Sequence, residues 1–142
     1  MNRKRIIRPS GQNLVEFALI SLILITIIMA IIDFGRLAFF YSTLTNASRE
    51  GARYSVIFPP CIGGSEIIEM RNVIKERAIG LNLADSDIPN PVFDNFDCST
   101  RTRIDSTIPA TVEVYVNFQY DPITPFIADS VLNSTTTMYL EL

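Results

Sequence analysis

The sequence predicts an α+β protein, in which one long N-terminal helix crosses a membrane and then protrudes from it to carry a small C-terminal head. Three observations predict this fold. Residues 14–32 are almost purely apolar, helical periodicity continues beyond them, and residues 110–120 alternate strictly between apolar and polar side chains. A helix of about 20 apolar residues is long enough to cross the hydrocarbon core of a bilayer. The expected division is a basic leader peptide at 1–11, the N-terminal helix at 12–57 with its membrane span at about 14–32, and an extracytoplasmic α+β head at 58–142.

Basic residues precede the apolar run. Four of the first eight residues are Lys or Arg, and such residues hold one flank of a span in the cytoplasm. The sequence therefore predicts a single-pass inner (cytoplasmic) membrane protein with a cytoplasmic N-terminus and an extracytoplasmic head. The alternative is a cleaved secretory signal with residues 17–32 as its apolar core. The anchor is favoured, since the run is too long, carries a glutamate near its start and ends without an A-x-A-like site.

Glu16 is the only formal charge inside the apolar run. A carboxylate in such a span costs about 2–3 kcal/mol on insertion scales, so it needs a reason or a partner. One interpretation is that Glu16 lies at the headgroup level and extends outward to water. The other is that it pairs with a positive group on a neighbouring subunit, most economically the free N-terminal amine of that subunit. Such an amine would lie near Glu16 only if the chain were cut just upstream.

The motifs around Glu16 resemble those of a known family. RPSG at 8–11, followed by QNLVEF at 12–17, resembles the processing site of type IV pilin precursors, in which a prepilin peptidase cuts after the glycine and a glutamate stands fifth in the mature chain. VEFAL at 15–19, DFGR at 33–36 and ASREGAR at 47–53 resemble more narrowly the TadE-like family, the minor pilins or pseudopilins of tight-adherence (Flp-type) pilus systems. The family often carries a proline about six residues after the glutamate. Here that position is Leu22, so the resemblance implies no kink there.

The resemblance implies a pilin-like fold and a function in pilus assembly. It implies processing between Gly11 and Gln12, and a register of assembly set by Glu16. The implied partners are the membrane, the prepilin peptidase, other pilin or pseudopilin subunits and the pilus assembly platform, and the chain could itself enter a pilus. The alternative from another functional class is an uncleaved, signal-anchored surface or periplasmic binding module.

The protruding half of the helix carries a face of small residues. Ala47, Ser48, Gly51 and Ala52 form two overlapping small-xxx-small pairs. Small residues let another backbone approach closely. The simpler interpretation is that the C-terminal sheet of the same chain docks on this face. The alternative is that a neighbouring subunit packs there.

The head is predicted to contain one further helix and a three-stranded antiparallel sheet. The helix is expected at residues 65–78, with an apolar stripe formed by Ile67, Ile68, Met70, Val73, Ile74 and Ala78. Strands are expected near 92–96, at 110–120 and at 134–142. On the second strand the apolar face is formed by Val112, Val114, Val116, Phe118 and Tyr120, and on the third by Thr136, Met138, Leu140 and Leu142.

The two cysteines, Cys61 and Cys98, fall in predicted loops on the outer side of the anchor. In an oxidising compartment such a pair usually forms a disulfide, which would stabilise the head by roughly 4 kcal/mol on the chain-entropy model. Two free thiols are the alternative. Four aspartates at 85, 87, 94 and 97 could collect calcium. Their spacing matches no EF-hand loop, so a solvated acidic loop is favoured and no metal or cofactor is expected.

Composition excludes several function classes. The sequence contains no histidine, so it has no imidazole acid, base or metal ligand. It has no glycine-rich phosphate loop either, and we predict that it is not an enzyme and has no small-molecule substrate. Without residues 1–11 the chain carries 8 Lys and Arg against 15 Asp and Glu, a net charge of −7. Such an acidic surface excludes nucleic acid as a partner.

Overall fold

The computed structural model describes residues 10–61, 64–124 and 127–140. The fold is α+β, as predicted, with a long N-terminal helix, a second helix, a three-stranded antiparallel sheet and a small sheet of two strands. Most of the predicted leader, at residues 1–9, lies outside the described residues. So does Leu142, the last residue of the predicted third strand.

Helix α1 spans Ser10–Ile57 and is continuous over 48 residues, about 72 Å at the standard rise per residue. It contains no proline, which is consistent with the absence of a break at Leu22. The apolar half is exposed, with Leu14 70% and Phe17 71% accessible, and no part of its most apolar window is buried by the rest of the chain. Helix α1 is therefore long and apolar enough to cross a membrane.

Helix α2 spans Ser65–Arg77 and packs on the C-terminal half of α1. Acidic Glu66 in its first turn and basic side chains in its last turn complement the helix dipole. Ile67, Met70 and Ile74 are buried, as predicted. Ile68 is not, since 62% of it is exposed. Ile68 lies about 100° around the helix from Ile67, which places it beyond the edge of the stripe that meets α1.

The main sheet has three strands, and neighbouring strands are antiparallel. Its edge strand β1 is Val92–Asp94, its central strand β4 is Thr111–Tyr120, and its other edge β5 is Ser130–Tyr139. The alternation predicted for β4 is observed: Val112, Val114, Val116 and Tyr120 are fully buried and Phe118 is half-buried. The third strand begins at residue 130 rather than 134, because β5 pairs with β4 along its entire length, from Thr111↔Tyr139 to Tyr120↔Ser130.

The small sheet was not predicted. It pairs β2 (Phe96–Asp97) with β3 (Thr102–Arg103). The strand predicted at 92–96 is interrupted at Asn95, whose φ of 54° is left-handed and turns the chain out of the main sheet. The Asn95 side chain holds this turn, since its Nδ2 donates to the carbonyl oxygens of Asp105 and Ile108.

The core lies between the C-terminal half of α1, helix α2 and the inner face of the main sheet. Its side chains come from all of these elements, so the head and the upper half of α1 fold as one packed unit. The largest fully buried members are Leu44, Met70, Ile74, Ile88, Val112, Val114, Val116, Tyr120 and Leu140.

Candidate functional site

The most polar buried cluster in the described part of the chain lies where α1 leaves its apolar run. We call it the Asp33 junction: it comprises Asp33 and Arg36 on α1, Tyr120 at the end of β4, and Ile123 and Thr124 in the loop that follows. Asp33 is fully buried and is the first residue past the predicted span. The junction therefore joins the base of the head to the helix.

The Asp33 carboxylate accepts hydrogen bonds on both oxygens. Thr124 donates to Oδ2 through its backbone N–H at 2.8 Å and its hydroxyl at 2.5 Å. The backbone N–H of Ile123 donates to Oδ1 at 3.1 Å. The Tyr120 hydroxyl lies 3.0 Å from the Asp33 carbonyl oxygen and 3.3 Å from Oδ1, so its single proton is directed at the same residue. A buried carboxylate with this set of donors has the partners that burial requires.

Arg36 forms an ion pair with Asp33 in the Asp33 junction. Its Nη1 lies 3.5 Å from Asp33 Oδ1, one helical turn along α1. The guanidinium carbon lies 5.6 Å from the centre of the Phe40 ring and 5.9 Å from that of Tyr120, within range of cation–π attraction. About a third of the side chain stays exposed. Arg36 therefore balances the buried charge while one side of it faces outward.

The hydrogen bonds fix the charge state of Asp33. The Thr124 hydroxyl, and after it the backbone N–H groups of Ile123 and Thr124 and the Tyr120 hydroxyl, favour the carboxylate, while burial opposes it. The balance lowers the pKa of Asp33 from 3.8 to about 2. Asp33 is therefore charged at neutral pH, and its hydrogen bonds hold the loop of residues 121–124 on α1.

Sequence reasoning missed the role of Asp33. DFGR at 33–36 indicates the family resemblance, but it is also the first place after Glu16 where charged residues occur in the helix. A carboxylate at the end of an apolar run, with a basic residue one turn later, was the available signal. Nothing in the loop Asp121–Thr124 identifies it as the donor, since the bonds to Asp33 use mainly backbone groups 90 and 91 residues away.

The predicted small-residue face is covered by the head of the same chain. Ala47, Ser48, Gly51 and Ala52 are all buried. Ser48 Oγ lies 2.8 Å from both Ser134 Oγ and Thr136 Oγ1 on β5. These contacts leave no room on this face for a helix of another subunit while the head stays docked.

Gly51 gives a direct test of this packing. A Cβ added there would lie 2.5 Å from Cγ1 and Cδ1 of the fully buried Ile74, whereas one added at Gly35, in the same helix, would meet nothing within 4 Å. We expect Gly51→Ala to destabilise the head by about 1–3 kcal/mol through overpacking. The matched control Gly35→Ala should stabilise the helix by up to about 1 kcal/mol. Thermal unfolding of both variants in detergent micelles measures the difference, and equal midpoints would contradict this packing.

The predicted processing and register residues lie at the other end of α1. Gly11, Gln12 and Glu16 are exposed on the first turns of the helix. Glu16 precedes Asp33 by 17 residues, about 26 Å along the axis. Among the described residues, Glu16 forms no salt bridge. The structure thus keeps these residues apart from the Asp33 junction.

Cys61 and Cys98 are joined by a disulfide, with their Cα atoms 5.6 Å apart. It ties the segment after α1 to the turn between β2 and β3, and the ion pair of Arg101 with Glu66, at 3.0 Å, ties the same turn to α2. Within the described ranges, no three acidic or cysteine side chains converge into a group that could hold a metal ion. Asp85 instead pairs with Lys75 at 2.7 Å.

Comparison with known proteins finds a family match over the N-terminal third of the chain. Residues 11–53 match the family model described as TadE-like protein, the family that the motifs at 15–19, 33–36 and 47–53 resemble. The matched segment includes Glu16, the Asp33–Arg36 pair and the small-residue face, whereas α2 and the sheet lie outside it. No curated protein and no solved structure was found to match the chain. A TadE-like segment indicates a role related to the Tad pilus.

Proposed function

We propose that this chain, with its TadE-like segment at residues 11–53, is a minor pilin or pseudopilin that takes part in the assembly of a tight-adherence (Flp-type) pilus. Its proposed place is the inner membrane, with the N-terminus in the cytoplasm and the head outside. Its role would be to initiate, cap or prime the fibre. Its partners would be the prepilin peptidase, other pilin or pseudopilin subunits and the assembly platform.

The observation that carries the proposal is that the head covers only one half of α1. The C-terminal half, from Asp33 to Ile57, packs against the head, whereas the N-terminal half, here called the bare half, does not. The upper half is packed against the head, and its small-residue face is already occupied. The lower half exposes apolar side chains on every side over residues 14–32. A helix that is apolar all round is stable only in lipid or among other helices. This supports a subunit that is held in a membrane by residues 14–32 and associates laterally with other subunits through the same residues.

The proposed mechanism has three steps. The chain inserts with its basic flank inside, the peptidase cuts between Gly11 and Gln12, and the bare half of α1 then packs against neighbouring subunits. Cleavage creates an amine at Gln12, about one helical turn from Glu16 on the same chain and within reach of a neighbour's Glu16. Pairing of that amine with the neighbouring carboxylate would offset the cost of a charge in the apolar layer and set the helical register.

The N-terminal residue of the protein in its native membrane tests this proposal. We expect the intact mass and N-terminal sequence to show a start at Gln12 in cells that contain the prepilin peptidase, and the full leader in cells that lack it. The peptidase-free strain is the matched control, since all other processing is unchanged there. A start at Met1 in both strains would contradict the proposal and favour an uncleaved, membrane-anchored binding module.

A further inference from the structure

The base of the head lies at the level where the apolar run ends. Residues 14–32 extend over about 28 Å as a helix, close to the hydrocarbon thickness of a bilayer. Asp33 follows directly, and it receives the backbone N–H groups of Ile123 and Thr124 at 3.1 and 2.8 Å. The loop of residues 121–124 is therefore fixed to α1 directly after the proposed span, with no intervening stretch of free helix.

Side chains around this loop match the chemistry of a lipid interface. The backbone of Ile123 is held by Asp33, but 58% of the residue is exposed. Phe34 is 67% exposed at the same height. The Arg36 side chain is also 36% exposed, although its Nη1 lies buried 3.5 Å from Asp33 Oδ1. Apolar and aromatic side chains with a neighbouring guanidinium suit the boundary between acyl chains and phosphates.

We propose that the loop of residues 121–124 is a second membrane contact, which rests on the outer leaflet with the Ile123 side chain at the acyl-chain boundary and the Arg36 guanidinium beside lipid phosphates. This rests on the proposed function, because it needs α1 to span a bilayer with the head outside. The partner is a lipid surface of zwitterionic composition. Asp121 and Asp129 are exposed beside the loop, and their charges would oppose contact with anionic lipid.

The contact would restrain the orientation of the head. A helix anchored only by its span can tilt, and interfacial side chains are what fix the tilt and rotation of such a helix. A loop held at the bilayer surface on one side of α1 would fix the angle and the direction in which the helix tilts relative to the head. Withdrawal of Ile123 from lipid would then accompany extraction of the subunit from the membrane.

Tryptophan fluorescence tests the contact, because the chain contains no tryptophan of its own. The full chain carrying Ile123→Trp is reconstituted in phosphatidylcholine vesicles whose acyl chains are brominated near the headgroup or near the chain end. We expect bromines near the headgroup to quench most of its emission, and we expect a blue-shifted spectrum. The matched control Ile57→Trp replaces a similarly exposed residue, 63% accessible, which lies on α1 about 36 Å beyond Asp33, and it should stay unquenched.

Leu24→Trp, in the middle of the apolar run, separates the inference from the proposed function. If Leu24→Trp is quenched by the deep bromines while Ile123→Trp behaves as Ile57→Trp does, the membrane contact of the loop is overturned and the anchor stands. If Leu24→Trp is not quenched, the anchor itself is overturned, and the loop contact with it. Quenching of Ile123→Trp by shallow bromines, with Ile57→Trp unaffected, supports the inference.

Discussion

Replacement of Asp33 by asparagine should release the base of the head from α1. The amide keeps the shape of the side chain, but it offers one acceptor oxygen where the carboxylate offered two, and its NH₂ would face donors on Thr124. Arg36 would lose its counter-ion in a partly buried place. Loss of a charged acceptor in a buried network ranks among the larger effects of single substitutions. We expect the midpoint of thermal unfolding to fall by on the order of 10 °C in a domain of this size.

The control for Asp33→Asn is Glu50→Gln. Glu50 is also an acidic residue of α1, but its ion pair with Arg77 is 3.8 Å long and exposed, so its loss should change the midpoint little. Thermal unfolding in detergent micelles measures both variants, and limited proteolysis between β4 and β5 shows whether the loop has come free. A midpoint for Asp33→Asn equal to that of Glu50→Gln would contradict the role assigned to the junction.

Acid provides a second readout of the same junction. Because the pKa of Asp33 in the folded chain is about 2, below its ordinary value of 3.8, its contribution to stability is fully present above pH 4. That contribution is lost as the pH falls from about 4 through 2, where the folded state too becomes protonated. Asp33→Asn lacks the contribution of the ionised carboxylate to the free energy of unfolding. The difference in that free energy between wild type and variant should therefore shrink between about pH 4 and pH 2. The same measurement on Glu50→Gln, which keeps Asp33 and its hydrogen bonds, controls for the general effect of acid on the fold.

The parts of the fold that could be predicted are those with a local period. The alternation of β4 placed Val112, Val114 and Val116 in the core because side chains on a strand alternate between its faces. The helices followed from apolar spacing and dipole-matched ends. Ile68 was placed wrongly because periodicity gives the width of a stripe only approximately, and the partner helix decides which edge residue is covered.

The parts that could not be predicted depend on contacts between distant segments. The Asp33 bonds to the loop after β4 join residues about 90 positions apart and use backbone donors, which no side-chain motif records. The early start of β5 was missed for a related reason, since its first residues are polar and are recruited by pairing with β4. The small-residue face was predicted, and the structure places the chain's own sheet on it, the simpler of the two interpretations. A neighbouring subunit stayed open as the alternative, because Ala47 and Gly51 admit any closely packed partner.

Substitution of Glu16 by leucine should abolish assembly while leaving the folded subunit intact. Glu16 is exposed on the bare half of α1, so its removal disturbs no contact with the head. The variant helix is more apolar, and its insertion should become easier by about 2–3 kcal/mol. Cleavage after Gly11 should continue. The variant should lose the proposed pairing of Glu16 with a neighbour's N-terminal amine. Without that pair, only apolar contacts remain between neighbouring helices, and they do not fix the register between them.

The decisive comparison for Glu16→Leu is Thr26→Leu, which replaces another polar residue of the same bare half. The Thr26 hydroxyl donates to the Leu22 carbonyl within its own helix, so it is already satisfied and no neighbour is needed. Sheared pili and processed membrane protein are quantified for each strain. We expect Glu16→Leu to accumulate processed subunit without pili, whereas Thr26→Leu assembles as wild type does. Wild-type pili from Glu16→Leu would mean that Glu16 reaches the headgroups unpaired, and that the register of the subunits comes from packing alone.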